Sequence, residues 1–160
     1  MVEISYSSGV YTLRSEQILN GSHAQIADYF SRPENLNELT PVDMDFKITS
    51  KNLPEKTYAG QIITYEIEIL PGIRNNWVTE ITKIEPGKMF IDEQRFGPYT
   101  MWHHEHHFEK ISENLVKMTD LISYKLPFGF IGRLLAGKYI ERKLKHIFGF
   151  RFAKCKELFK

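Results

Sequence analysis

The run Trp102-His103-His104-Glu105-His106-His107-Phe108 holds four of the chain's six histidines and is its densest concentration of reactive side chains. Imidazole exchanges its proton near neutral pH, so it can shuttle a proton, anchor a polar ligand or bind a metal. On a strand, residues two apart share a face. Trp102, His104, His106 and Phe108 then look one way, and His103, Glu105 and His107 the other. The face carrying the two large aromatics is read as the interior. The same alternation turns Met118, Asp120, Ile122 and Tyr124 inward on the following segment. It turns Phe90, Asp92 and Gln94 inward on the preceding one, unless a bulge reverses that choice.

Asp120 stands out because a carboxylate is rarely buried without partners. It is expected to accept a hydrogen bond from His104 or His106. Three roles fit such a pair: a satisfied internal network that holds sheet register, a polar anchor for a ligand, or an acid/base pair of Asp120 and His106. His-x-His on one strand can also hold Zn²⁺, which makes His104 and His106 the metal candidates, with Asp120 or Glu93 as the necessary third ligand. The outward pair His103/His107, with Glu105 between, would take up metal only adventitiously. Cys155 is the single cysteine, which excludes an intramolecular disulfide and any multi-cysteine metal site. It falls on the apolar side of a helical pattern and reads as an inert core thiol. No Gly-x-Ser-x-Gly elbow occurs, and the glycines near Gly129 and Gly132 lack the lysine of a phosphate loop.

The elements that must position these residues are legible from periodicity. Val10–Leu19 reads as a strand, with residues 1–9 before it as an extension or an extra edge strand. Asn20-Gly21 marks a turn. Ser22 with Gln25 makes a capping box for a short helix to about Phe30, and Pro33 opens a second short helix to about Leu39. Alternation then recurs over 44–49, 59–70, 77–84, 89–96, 100–110 and 115–126, with turn residues between, which indicates an antiparallel meander of about seven strands. From Ile131 the period becomes helical for ~28 residues, roughly 40 Å. One sheet with a single apolar face and one long amphipathic helix bury both surfaces by wrapping the sheet around the helix, which leaves room for a pocket.

The length of 160 residues suits one domain, taken as 10–160, and 42% apolar residues supply a core. A formal charge of +1 argues against a nucleic-acid partner. No apolar run reaches the ~18 residues that span a bilayer, and no signal-peptide pattern opens the chain, so a cytoplasmic location without stable membrane insertion is expected. Charge is unevenly distributed: nine basic residues against two acidic give the segment from Ile131 onward +7 and leave −6 for the remainder. A basic amphipathic helix of this kind can lie on an anionic surface or dock a partner, or merely carry a basic solvated face.

The α+β element order resembles the helix-grip fold of the START-like (SRPBCC) superfamily, which includes lipid-transfer domains and polyketide cyclases/dehydrases. Asp92-Glu93-Gln94-Arg95-Phe96-Gly97-Pro98-Tyr99 followed by Trp102 to Phe108 is similar to a DEQ-x-x-GPY-x-x-W-x-H-x-H-x-F stretch of its small bacterial ligand-binding members. Thr119-Asp120, Tyr124-Lys125-Leu126-Pro127-Phe128-Gly129 and Leu39-Thr40-Pro41 match further segments. The resemblance implies a cavity between sheet and C-terminal helix and a small, mostly hydrophobic ligand, bound for transport or sensing. It implies no metal, and no cofactor is expected. The expected wall is Ile63, Tyr65, Ile67, Trp77, Trp102, Phe108, Ile122 and Tyr124, with Leu134 and Leu135 from the helix and His104, His106 and Asp120 as polar groups. The alternative is a cyclase/dehydratase- or hydrolase-like enzyme on a polyketide-like or aromatic substrate, with Asp120 and His106 as its catalytic pair. A third reading is a protein- or membrane-interaction module using the basic helix.

Overall fold

Alternating strands dominate the computed structural model, which describes residues 2–70 and 72–160. The strands are β1 (Val2–Ser7), β2 (Val10–Asn20), β3 (Lys47–Ile48), β4 (Ile62–Leu70), β5 (Ile73–Glu85), β6 (Met89–Phe96), β7 (Met101–Ser112) and β8 (Leu115–Lys125). They form one antiparallel sheet in the order β1-β2-β8-β7-β6-β5-β4-β3. Two helices complete the fold: α1 (His23–Phe30), capped by Ser22, whose hydroxyl accepts from the Gln25 amide, and the 30-residue α2 (Gly129–Leu158). This is the helix-grip arrangement.

Three local expectations are corrected. The second short helix is a single 3-10 turn, Pro33–Leu36, and residues 42–44 form another such turn. The strand expected over 44–49 therefore shrinks to Lys47–Ile48; Asp45 adopts a left-handed backbone at the end of the turn and breaks any extended run. The strand expected over 77–84 instead starts at Ile73, so that β4 and β5 pair antiparallel from Leu70 and Ile73 onward.

Register carries the site. Asp92 pairs across from His104, Phe90 from His106, His104 from Ile122, and His106 from Asp120. Two bulges interrupt the β5–β6 ladder. One inserts Thr82 into β5 beside the Ile81–Asp92 pair and leaves the alternation of β6 intact, and the one on β6 itself falls beyond Asp92. Thr79 faces Gln94 while Val78 faces Phe96, so Arg95 is the extra residue, and Phe96 is thrown out to solvent.

α2 buries a stripe of Gly132, Gly137, Ile140, Leu144, Phe148, Arg151 and Cys155. A Cβ at Gly137 would lie 2.8 Å from the Tyr11 hydroxyl, so the missing side chain lets the helix sit down on β2. At ~100° per residue, Leu134 and Leu135 project more than about 100° away from Ile140. They are 72% and 79% exposed and are not part of the interior wall. With Phe128, Phe130 and Ile131 they form an uncovered apolar patch at the start of the helix. Two cores result. One surrounds Trp77, Tyr65, Tyr124 and the middle of α2; the other packs α1 and the end of α2 on Phe108, Val116 and Met118 and encloses Cys155. Burial pushes the Cys155 thiol up to about 12, which leaves it inert.

Candidate functional site

Between the sheet and α2 lies a cavity of about 160 Å³. Its apolar wall includes Met44, Ile63, Tyr65, Ile67, Ile69, Trp77, Ile81, Tyr99, Trp102, Leu144 and Phe148. Partly exposed polar lining residues, Arg32, Asn35, Thr57 and Lys143, mark its rim. Trp77 is buried, donates to the Thr79 hydroxyl at 3.0 Å, and packs against Tyr65, Tyr99 and Trp102 at centroid distances of 5.9, 5.5 and 5.1 Å.

One patch of this wall is polar: Asp92, His104, His106 and Arg151. β6, β7 and β8 lie side by side, so the two aspartates flank the two histidines. Asp92 Oδ2 is 2.8 Å from His106 Nε2 and 3.4 Å from His104 Nδ1. Asp120 Oδ1 is 3.1 Å from His104 Nε2 and 3.0 Å from His106 Nδ1. The first Asp120 contact is a well-directed hydrogen bond. The second is out of line with the ring N–H, so it acts through charge. Arg151 reaches down from α2 to within 3.5 Å of Asp120 and stacks on Phe148. The imidazole centroids are 3.8 Å apart, and Phe90 stacks on His106 at 4.0 Å.

Burial and charge compete at each group. Burial alone would raise the Asp120 carboxyl, but hydrogen bonding by His104 and His106 and the Arg151 charge hold it far below the usual carboxylate range. Asp92 is likewise lowered, with the burial penalty outweighed by His104, His106 and Arg151. His104 is lowered by burial and by the neighbouring His106 charge. For His106 the burial penalty is outweighed by the Asp120 and Asp92 carboxylates, and its pKa is raised. The cluster thus favours ionised aspartates, protonated His106 and neutral His104, which with Arg151 sums to zero. Such a wall can donate to, or accept from, a polar group on an otherwise apolar molecule.

Of the expected wall, Ile63, Tyr65, Ile67, Trp77, Trp102, His104 and His106 line the cavity. Phe108, Asp120, Ile122 and Tyr124 do not. Phe108 belongs to the second core. Ile122 and Tyr124 are fully covered, Tyr124 by stacking on Tyr11 at 5.0 Å. Asp120 sits behind the histidines, where it can orient them and not touch a ligand. Glu93, offered as a metal ligand, points outward and bonds His103 at 2.7 Å. Arg151 is one of the nine basic residues from Ile131 onward, and Leu144 and Phe148 belong to the apolar positions of the same helical period, but residue type alone does not mark them as cavity lining. The buried-stripe spacing Leu144, Phe148, Arg151, Cys155 was the signal that could have placed Arg151 inside.

No family model and no curated protein sequence matches the chain. Solved structures do. The Zhui aromatase/cyclase from Streptomyces sp. R1128 superposes with a TM-score of 0.70 at 9% identity over 92% of each chain. A norcoclaurine synthase point mutant from Thalictrum flavum, in complex with a transition-state analogue, gives 0.69 at 12% identity over 96% of each chain. TTHA0849 from Thermus thermophilus gives 0.67 at 11% identity, covering 91% of this chain and 94% of that one. At these identities the likeness is one of fold. Among the described residues no helix is long and apolar enough to cross a membrane.

Proposed function

Starting from the helix-grip fold that this chain shares with those proteins, we propose that it binds one small, largely apolar molecule between the sheet and α2. The observation that carries this reading is the cavity itself, apolar on most sides with one cluster of placed polar groups. Its volume of about 160 Å³ is close to that of a cavity that accepts benzene, roughly 150 Å³, so a ligand of one or two rings is the natural size. An oxygen on that ligand would meet His104, His106 or Arg151. The acid/base alternative draws on the same wall, but it needs Asp120 or His106 to reach the substrate. Asp120 stands behind the histidines and His106 Nε2 is held by Asp92, a placement that suits orientation better than proton transfer.

The chain's only two tryptophans, Trp77 and Trp102, both line the cavity, so their fluorescence reports occupancy. Titration with 2-naphthol should quench that fluorescence saturably. Ile67→Trp, which fills the space, should weaken binding at least tenfold while the chain stays folded. Failure of the naphthol to bind, or equal binding by the filled variant, would refute the proposal.

The uncovered patch of Phe128, Phe130, Ile131, Leu134 and Leu135 supports a second reading, docking of this end on an anionic lipid surface. Charge favours such a surface, since Arg133 and Lys138 lie within the same turns of a helix that is basic overall. Leu134→Gln/Leu135→Gln should change stability by no more than about 0.5 kcal/mol and abolish co-sedimentation with phosphatidylglycerol-containing vesicles. Undiminished sedimentation, or none by the unaltered chain, would remove this reading.

A further inference from the structure

We propose that Asp92, His104 and His106 form a binding site for one divalent transition-metal ion in the cavity wall. One donor atom from each of the three lies within 4.8 Å of the other two, and Asp92 Oδ2 faces His104 Nδ1 and His106 Nε2. Bonds of about 2.0–2.2 Å set tetrahedral donors roughly 3.3–3.6 Å apart and cis octahedral donors ~3 Å apart. The Asp92 oxygen is 3.4 Å from one nitrogen and 2.8 Å from the other, close to the tetrahedral and cis octahedral spacings in turn. The two imidazoles lie within reach of a common ion once their rings turn toward it. Both histidines stand on β7 and Asp92 on the adjoining strand, so the backbone that spaces the donors is a hydrogen-bonded ladder.

The surroundings match what a metal-binding imidazole requires. Such a ring usually gives its far nitrogen to a carboxylate, which sets its orientation and strengthens it as a ligand. Here one carboxylate serves both rings: Asp120 Oδ1 lies 3.1 Å from His104 Nε2 and 3.0 Å from His106 Nδ1. Those are the two nitrogens that face away from Asp92. Arg151, the nearby positive charge, is directed at Asp120, the carboxylate that is not a ligand. With both imidazoles neutral, as ligands must be, Asp92 and Asp120 against Arg151 leave one net negative charge to attract a cation. The third ligand is thus Asp92, rather than the Asp120 or Glu93 that sequence spacing offered. All three ligands line the cavity, so the remaining coordination positions open into it. Stability alone explains the cluster poorly, because packed apolar residues usually serve at least as well as a buried ionic group. Two nitrogens and one carboxylate oxygen suit Zn²⁺, Co²⁺, Ni²⁺ or Fe²⁺ rather than Mg²⁺ or Ca²⁺.

The test is a Co²⁺ titration of chelator-treated protein carrying His103→Ala/His107→Ala, which removes the outward histidines as a competing site. One equivalent should bind, with the visible absorption of a nitrogen-ligated site, and Zn²⁺ should displace it. Asp92→Asn, which preserves shape, and His104→Ala should each lower affinity more than tenfold. Asp120→Asn should lower it about 10–100-fold while keeping the stoichiometry. The proposal is overturned if the His103→Ala/His107→Ala protein binds no Co²⁺, the outward pair then being the only site. It is overturned equally if binding survives both Asp92→Asn and His104→Ala unchanged.

Discussion

Asp120→Asn is expected to lower folding stability by about 3 kcal/mol, the low end for leaving a buried charge without its partner. The substitution keeps the size of the side chain and removes the negative charge that Arg151, His104 and His106 share. Urea denaturation measures the loss. His106→Ala should also destabilise, and the double variant should be less damaged than the sum by ~0.5–3 kcal/mol, because both changes break the same contacts. The pH dependence has a definite sign. Asp92 and Asp120 are depressed in the folded chain, so their stabilisation is present above the ordinary carboxylate value of about 4 and is lost as pH falls below it. Raised His106 contributes below its ordinary value of about 6.5, a contribution lost as pH climbs through the folded value. Stability of the unaltered chain should therefore fall steeply below about pH 4, and Asp120→Asn should show a shallower fall. Strict additivity of Asp120→Asn with both His106→Ala and His104→Ala would mean that the cluster is not coupled.

Trp77→Ala should cost about 3–5 kcal/mol, the range for deleting a buried large aromatic. Trp77 is 5% exposed, and its removal strips packing from Tyr65, Tyr99 and Trp102 and leaves the Thr79 hydroxyl without its indole donor. Trp102 shares the same cavity but is only partly buried, so Trp102→Ala should cost less. Thermal or urea unfolding of the two variants gives the ordering directly. A larger loss at Trp102 would reverse the assignment of which end of the aromatic cluster faces solvent.

The alternation of β7 and β8 was enough to turn His104, His106 and Asp120 inward, because a strand has only two faces and a register slip would expose the aromatics of one of them. The helical period after Pro127 likewise announced α2, and the turn residues between strands announced the meander. What a strand's period cannot say is how deep an inward side chain lies. Phe108, Ile122 and Tyr124 face in like Trp102, yet other side chains cover them, so they build core rather than cavity. Leu134 and Leu135 failed for a related reason. Apolar type suggested burial, but the packed face of α2 is chosen by the close approach of Gly137 to Tyr11. Sequence marked Asp92 as inward only on condition that no bulge intervened, and the location of that bulge at Arg95 is a property of the paired strands. The partnership of Asp92, His104, His106, Asp120 and Arg151 joins residues up to 59 positions apart in sequence from three strands and a helix. Residue types could nominate its members, but only cross-strand register and the seating of α2 could bring them within bonding distance, because a hydrogen bond or ligand bond depends on tenths of an ångström that no pattern of types encodes.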